Sequence, residues 1–288
     1  SILSDFSHHP NRRLRESAVL ALRRLKSPLI EPFLKDAEPE IVFETIRAIH
    51  DLPIPELQER LASFSQEQTL HGKPLPFPIT HRILNTNFRI GTTKHAKRIS
   101  EIAVNQSLSF EIRLEALESL RQWNHPSVFD RVTWNLRPHT ETRERNIGPW
   151  VRKDLLATFS EFLDQGNKPA QPSLERAMTA IAQILIDHDL IDERTAEKGI
   201  HREEIPVAAR IQFLRHLIEN KSLSIAVAES LLSDPEPQIQ AVSAAALVET
   251  ENELGWGYFE RSITSTNTDA IQHSLSELAH IDSERRTR

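Results

Sequence analysis

Apolar residues recur along the chain at one fixed spacing. In Ile112-Arg113-Leu114-Glu115-Ala116-Leu117-Glu118-Ser119-Leu120 they fall at i, i+4, i+5 and i+8, which places Ile112, Ala116, Leu117 and Leu120 on one face of a helix. The same phrase returns with its anchor at Leu14, Ile41, Val151, Ala209 and Ile239. Five residues after each anchor stand Val19, Ile46, Leu117, Leu156, Leu214 and Ala244; eight after stand Leu22, Ile49, Leu120, Phe159, Leu217 and Leu247. All of these are apolar. Most copies also carry an arginine one residue after the anchor: Arg15, Arg113, Arg152 and Arg210. Any amphipathic helix explains the apolar positions, but not the arginine. Nor does it explain why Asp36-Ala37-Glu38-Pro39-Glu40-Ile41 is restated as Asp234-Pro235-Glu236-Pro237-Gln238-Ile239.

Between the copies, caps and breakers mark the helix ends. Asn11 and Ser224 are placed to accept hydrogen bonds from first-turn amides, and Ser173 is read the same way. Pro39 and Pro237 suit the first turn, where a missing N–H is harmless. Partner helices are expected over Leu29 to Lys35 and Glu56 to Phe64, and Gly91 is expected to close a helix over Ile79 to Ile90 in the left-handed conformation. His71 to Pro78, with three alternating prolines, is expected to be extended. A helical turn is expected over Ser127 to Val132, and a connector or short helix over His188 to Glu204. Asp164 to Pro169 reads as a linker, and Ile271 to Leu278 as a last, weak helix.

A repeated helix with one committed face cannot bury that face alone, so the copies must stack. The expected fold is all-α, an α-solenoid of paired antiparallel helices. It resembles the HEAT and armadillo class of repeats, although neighbouring copies 27 to 30 residues apart are shorter than the roughly 40 of that class. We read residues 1–64 as N-terminal repeats, 65–163 as central interrupted repeats with a long loop over 133–149, and 164–288 as C-terminal repeats of one continuous solenoid. In such arrays the recurrent arginine often meets an acid of the next repeat. Asp36 and Asp234 are candidate partners, and solvated arginines fit the pattern as well.

Composition narrows the chemistry. The 288 residues hold 39% hydrophobic residues, enough for a core, and no run approaches the roughly 18 apolar residues of a spanning helix. A formal charge of −6 argues against a dedicated nucleic-acid binder. Cysteine is absent, which excludes disulfides, thiolate metal sites, a cysteine nucleophile and covalent haem anchored in this chain. Thirteen histidines include no His-Glu-x-x-His pair, and there is neither a phosphate-binding glycine loop nor a nucleophile elbow. We therefore expect no catalytic, cofactor-binding or metal-ligating residue. The first residue is not Met and the C-terminal Glu284-Arg285-Arg286-Thr287-Arg288 has no evident structural finish, so we read the chain as a piece of a longer protein.

One stretch is more polar than packing requires. Arg82 to Gly91 carries Asn85, Asn87 and Arg89 on a helix, with Asn85 and Arg89 one turn apart. Together with Trp123, Asp130, Arg131, Trp134 and Arg137 they form a candidate interaction patch. Two readings fit it: a brace for the loop that follows, or a place where a ligand or partner binds.

The same stretches resemble a family. Ala48-Ile49-His50-Asp51-Leu52-Pro53-Ile54 resembles an AINDLPI motif, and Leu84-Asn85-Thr86-Asn87-Phe88-Arg89-Ile90-Gly91 resembles INANFRLG. Arg113 to Leu117 with Trp123, Pro126 and Asp130-Arg131-Val132 resembles RVEALEMLADWAKPSPRDRVTGLWRPL. These are motifs of the helical-repeat region of planctomycete-type (PVC-type) membrane-bound dehydrogenases. The resemblance covers Leu14 to Pro138. His50 stands where the family tends to Asn, and Leu136 where its Trp is expected. The family joins a sugar-dehydrogenase-like propeller, a HEAT array and a c-type haem domain. The resemblance therefore implies a non-catalytic scaffold in an exported, periplasmic dehydrogenase–cytochrome protein. It implies haem c, and allows a quinone cofactor, elsewhere in the parent and no cofactor in this chain. The partners implied are protein domains of the same or an associated polypeptide, without nucleic acid and without a transmembrane segment here. A free-standing protein- or peptide-binding solenoid is the alternative, and a HEAT-like DNA-binding enzyme a further one.

Overall fold

Each copy of the apolar phrase forms a helix. The computed structural model describes residues 2–64, 69–70, 73–138, 143–165 and 172–287. In the first half the helices are α1 (Ile2–Asp5), α2 (Arg12–Arg24), α3 (Pro39–Asp51), α4 (Gln58–Ser63), α5 (Phe77–Ile90), α6 (Thr93–Val104) and α7 (Phe110–Arg121). Then follow α8 (Trp150–Gln165), α9 (Pro172–Asp187), α10 (Glu193–Ile200), α11 (Val207–Glu219), α12 (Ile225–Leu231), α13 (Pro237–Glu249), α14 (Glu253–Ile263) and α15 (Thr268–Thr287). Short 3-10 turns at Phe6–His8, Pro28–Lys35 and Pro55–Leu57 complete the helical segments. A two-residue ribbon pairs Thr69–Leu70 with Lys73–Pro74.

The chain divides into two compact units, 1–158 and 159–288, with the boundary inside α8. In the first, α2, α3, α5 and α7 pack in succession as one layer, and the Pro28–Lys35 turn, α4 and α6 form the other. In the second, α9, α11, α13 and α15 form one layer and α10, α12 and α14 the other. Along the first-named layer of each unit every helix meets the next, α2–α3–α5–α7 and α9–α11–α13–α15, and most helices of the other layer pack on a sequence neighbour, the packing of an α-solenoid.

Burial follows the phrase. Val19, Ile46, Leu117, Leu214 and Ala244 are fully buried, as are Leu22, Ile49 and Leu120 three residues later. Leu14, the anchor of the first copy, is an exception at 41% exposed, and Leu156 of the fourth copy is half-buried. Helices α13 and α14 approach closely. A side chain at Gly255 would stand 2.6 Å from the Ala244 carbonyl oxygen, so glycine is what lets these backbones approach.

The recurrent arginine joins repeats. Arg15 forks onto Asp36, Nε to Oδ2 at 2.8 Å and Nη2 to Oδ1 at 3.1 Å, and Asp36 Oδ1 also accepts from the Glu38 amide at the start of α3. Arg210 and Asp234 repeat the arrangement, with Asp234 Oδ1 accepting from the Glu236 amide before α13. The same arginines reach backward as well. Arg113 Nε donates to the Ala103 carbonyl near the end of α6, and Arg210 Nε to the Ile200 carbonyl ending α10. One side chain thus satisfies a carbonyl of one helix end and a carboxylate leading into the next helix.

Several local expectations change. Ser127 to Val132 is not a helical turn but one arm of a tight hairpin, because the Asp130 carboxylate takes up the turn amides that a helix would need. Phe77 and Pro78 belong to α5, since proline in a first turn leaves no extra amide unpaired. Pro172 begins α9, so Ser173 lies within it rather than capping it. His188 to Glu204 contains α10, capped by Asp192 Oδ1 accepting from the Thr195 amide at 2.8 Å. The linker at Asp164 to Pro169 lies mostly outside the described residues, as do 139–142 of the long loop.

Burial of Leu120 and exposure of its neighbour Arg121 make a direct test. Leu120→Ala is expected to lower the unfolding free energy by about 2–5 kcal/mol in urea titrations, and Arg121→Ala by less than about 0.5 kcal/mol. Equal losses would contradict the burial of this face.

Candidate functional site

A polar stripe on α5 organises the first unit. Arg82, Asn85 and Arg89, at i, i+3 and i+7, share one side of the helix and meet the end of α3. Arg82 forks onto Asp51, with Nε and Nη2 each 3.0 Å from a carboxylate oxygen. Arg89 Nη1 donates to the His50 carbonyl at 2.7 Å in the last turn of α3, where a cation also suits the helix dipole. Asn85 Nδ2 lies 3.0 Å from His50 Nε2 and 2.7 Å from Asp130 Oδ2, and its two hydrogens serve both acceptors. His50 is then the tautomer that donates from Nδ1 to Asp51 Oδ1, at 2.8 Å. Asn87 points elsewhere: its Nδ2 donates to the Ala62 carbonyl in α4 at 3.0 Å and to Ile83 at 2.9 Å.

Asp130 belongs to the hairpin of residues 128–137. Its Oδ2 accepts from Arg89 Nε at 2.8 Å, while Oδ1 accepts from the amides of Val132 and Thr133 at 3.0 and 2.9 Å. Backbone bonds from Asp130 to Asn135 and from Arg137 to Val128 close the two arms, with Phe129 opposite Leu136. Trp134 turns the corner at φ +58°, a left-handed conformation that costs a bulky residue about 1–2 kcal/mol. Arg131 reaches Glu115 on α7, which also meets His81 of α5 at 3.2 Å. The hairpin is thus held from both α5 and α7. Yet its outer side chains are bare: Val128 is 69% exposed, Phe129 54%, Trp134 76% and Leu136 71%.

A second segment, Arg143 to Asn146, straps across the ends of α5, α6 and α7. The Arg143 guanidinium donates to the Phe88 and Trp123 carbonyls and lies over both rings, 4.6 Å from the Phe88 centroid and 4.9 Å from that of Trp123. Gly91, at φ +73°, leaves room for it; a Cβ there would stand 3.1 Å from Arg143 Cζ. The Glu144 amide donates to the Gly91 carbonyl, and the Glu144 carboxylate caps α6 by accepting from the Thr93 amide at 2.6 Å. Trp123 Nε1 donates to the Glu144 carbonyl at 2.7 Å, so the buried indole has its partner.

Electrostatics reinforce the geometry. Burial pulls the His50 imidazole down to about 4, against the opposing pull of Asp51, so the fold holds it neutral. Burial alone would raise Asp51, but hydrogen bonds from His50 and Arg82 outweigh it and keep the carboxyl at about 2. Burial would likewise raise Asp130, and it is overcome by Arg89, the Thr133 amide and Asn85, which hold the group far below the ordinary carboxylate range. Arg143 is lowered to about 10, by burial first and then by the charge of Arg137.

Of the eight patch residues, Asn85, Asn87, Arg89, Trp123 and Asp130 are buried, Arg131 and Arg137 are half-buried, and Trp134 projects. The structure therefore brings most of them together as an internal brace rather than a surface. The candidate patch left out His50, Asp51 and Arg82, although they lie in the stretches singled out, and it left out Arg143; it also omitted Val128, Phe129 and Leu136 beside Trp134. The signal for the last three was present: apolar residues on both sides of an Asp-initiated turn. Clefts elsewhere, of about 610 Å³ beside Arg15 and Asp36 and about 530 Å³ between α12 and α13, contain none of the eight. Among the described residues, no group of His, Asp or Glu is placed to hold a metal ion. Among them, too, no helix is long and apolar enough to cross a membrane.

No family model matches the chain, and no curated protein matches it. Among solved structures it is similar to the crystal structure of an engineered protein, 11% identical, at a TM-score of 0.31 over 98% of this chain and 88% of that one.

Two outcomes follow from the brace. The unfolded chain protonates His50 near pH 6.5, whereas the fold resists protonation down to about 4. Stability is therefore complete above about pH 6.5 and falls as pH drops through that window, by up to about 3 kcal/mol from this residue. Urea titrations from pH 7 to 4 are expected to show that decline in the wild type and a flatter profile in His50→Asn. Asp130→Ala leaves Arg89 buried without its carboxylate and is expected to cost about 3–5 kcal/mol, read by the same titration at pH 7.

Proposed function

We propose that this chain is a non-catalytic helical-repeat module that holds other protein domains in place. The observation that carries this reading is the hairpin. A buried ion pair, two amide caps and a second ion pair to Glu115 fix a backbone turn whose outward face is four large apolar side chains. Water-exposed apolar side chains on a rigidly anchored support are the physical signature of a contact surface.

The parent we favour is an exported dehydrogenase–cytochrome protein, and the array would be of the HEAT type. Support comes from the resemblance of Leu14 to Pro138, whose motif residues Asp51, Asn85, Arg89 and Asp130 meet in one network. In this reading the sugar-dehydrogenase-like propeller and the c-type haem reside in neighbouring domains, and the repeats set the distance between them. A free-standing peptide-binding solenoid is the second reading, and the exposed hairpin suits it equally.

The full-length open reading frame separates the two. The parent reading expects a propeller and a Cys-x-x-Cys-His haem motif in the same or an adjacent frame. It also expects the isolated chain to reduce no artificial electron acceptor with sugar alcohols. A frame with neither domain overturns the dehydrogenase assignment, and turnover by the isolated chain overturns the non-catalytic one.

A further inference from the structure

Three helices end on an acid at the same place in the repeat. Ten residues after the anchors Ile41, Ala209 and Ile239 stand Asp51, Glu219 and Glu249, each the last residue of its helix. A carboxylate there meets the negative end of the helix dipole and is disfavoured unless a cation stands beside it. Asp51 has one, since Arg82 of the next helix in the layer forks onto it. The Glu219 and Glu249 carboxylates meet no cation among the described residues, and neither does that of Glu251 just beyond α13.

Beside these acids lies a groove. Glu219 and Glu249 line a small cleft of about 120 Å³ between α11, α13 and α15, with Ala245 and Ala246 in its wall. It shares Ile218, Ala246, Glu249 and Ile281 with the cleft of about 530 Å³ against α12, where Glu251 joins the lining and Ile225 is 49% exposed. Of the cations along the groove, Arg215 is committed to Glu277 at 2.7 Å, and Lys221 forms no ion pair among the described residues. The surrounding field has the sign of the acids. Residues 159–288 carry 22 acidic and 12 basic side chains, a formal charge of −10, against −6 for the whole chain.

We propose that this groove is the docking surface for a basic, apolar protein segment, whose arginine or lysine stands to Glu219 and Glu249 as Arg82 stands to Asp51. The apolar stem of such a side chain suits the alanine wall while its charged head reaches the acids. An apolar neighbour on the segment suits the larger cleft beside Ile225. This rests on the binding-module reading above and gives it a second surface, with a partner chemistry that the hairpin does not specify.

Selection of a phage-displayed random dodecapeptide library on the whole immobilised chain tests this directly. Enriched peptides are expected to combine Arg or Lys with Leu, Ile or Val. Their affinity is expected to fall about tenfold or more in the double variant Glu219→Gln/Glu249→Gln, together with most of its dependence on salt. Ile225→Ser is expected to weaken binding as well, and Trp134→Ser, in the other unit, to leave it unchanged. Removing two negative charges from helix C-termini is expected to raise the melting temperature of the free chain by about 1–3 °C. A fall of several degrees would mean that the fold already uses these carboxylates, and overturns the proposal. Enriched peptides without Arg or Lys overturn it too, as do peptides that bind the double variant as tightly as the wild type; both leave a binding module standing. Self-association that the double variant abolishes overturns it in favour of a contact between two copies of this chain. A selection that enriches nothing also overturns the groove, while the domain-holding role is still decided by the open reading frame.

Discussion

Stacking helices creates a problem at their ends. Each helix leaves carbonyls unpaired over its last turn, and packing the next pair against it removes the water that would otherwise satisfy them. In this chain arginine supplies the missing donors. Arg113 serves the end of α6, Arg210 the end of α10, Arg89 the end of α3, and Arg143 the ends of α5 and α7 together. A guanidinium carries five N–H groups in a plane, so it can serve a carbonyl and a carboxylate at once. Lysine, a single charged point on a flexible stem, could not hold both acceptors in fixed directions.

That requirement shapes the polar interior of the first unit. Arg89 has to be buried to reach the His50 carbonyl, and a buried cation needs a counter-charge. No residue of α3 or α5 supplies it; the acid comes from Asp130, on a segment with no regular secondary structure of its own. Once Asp130 is inside, its second oxygen is free to gather turn amides, and the hairpin is held as firmly as a helix. The exposed apolar face is thus a by-product of solving a helix-end problem, and this exposed surface hangs from a deeply buried ion pair.

Much of this was legible from residues alone, and the limits have physical causes. The apolar spacing of the phrase identified the buried positions, and Asn11, Gly91 and Ser224 marked helix ends, because caps and periodicity are local. Pairing of Arg15 with Asp36 and of Arg210 with Asp234 could be guessed because the repeat wrote it twice. The hairpin could not, since Asp130 turns the chain with amides two and three residues on while its charge is claimed some forty residues back, by Arg89. Arg143 was hidden for the same reason: a lone arginine in a polar loop gives no hint that it fills the space above a glycine and between two aromatic rings. Asn85 and Arg89 were noticed as a pair, but their burial depends on His50 and Asp130, which lie on other elements.

Repeat arrays ordinarily fold from neighbour to neighbour, since each unit touches only the next, and partial arrays can persist. The strap departs from that rule. Glu144 reaches Thr93 across 51 residues and Arg143 reaches Phe88 across 55, so two pairs of helices must be in place before either contact can form. Closing so long a loop early is entropically costly, which places the strap late in folding. Once closed, it ties the central helices together at both ends of the detour. Unfolding there should then run as one block rather than fray repeat by repeat, so the contacts that close last would set how long the native state survives.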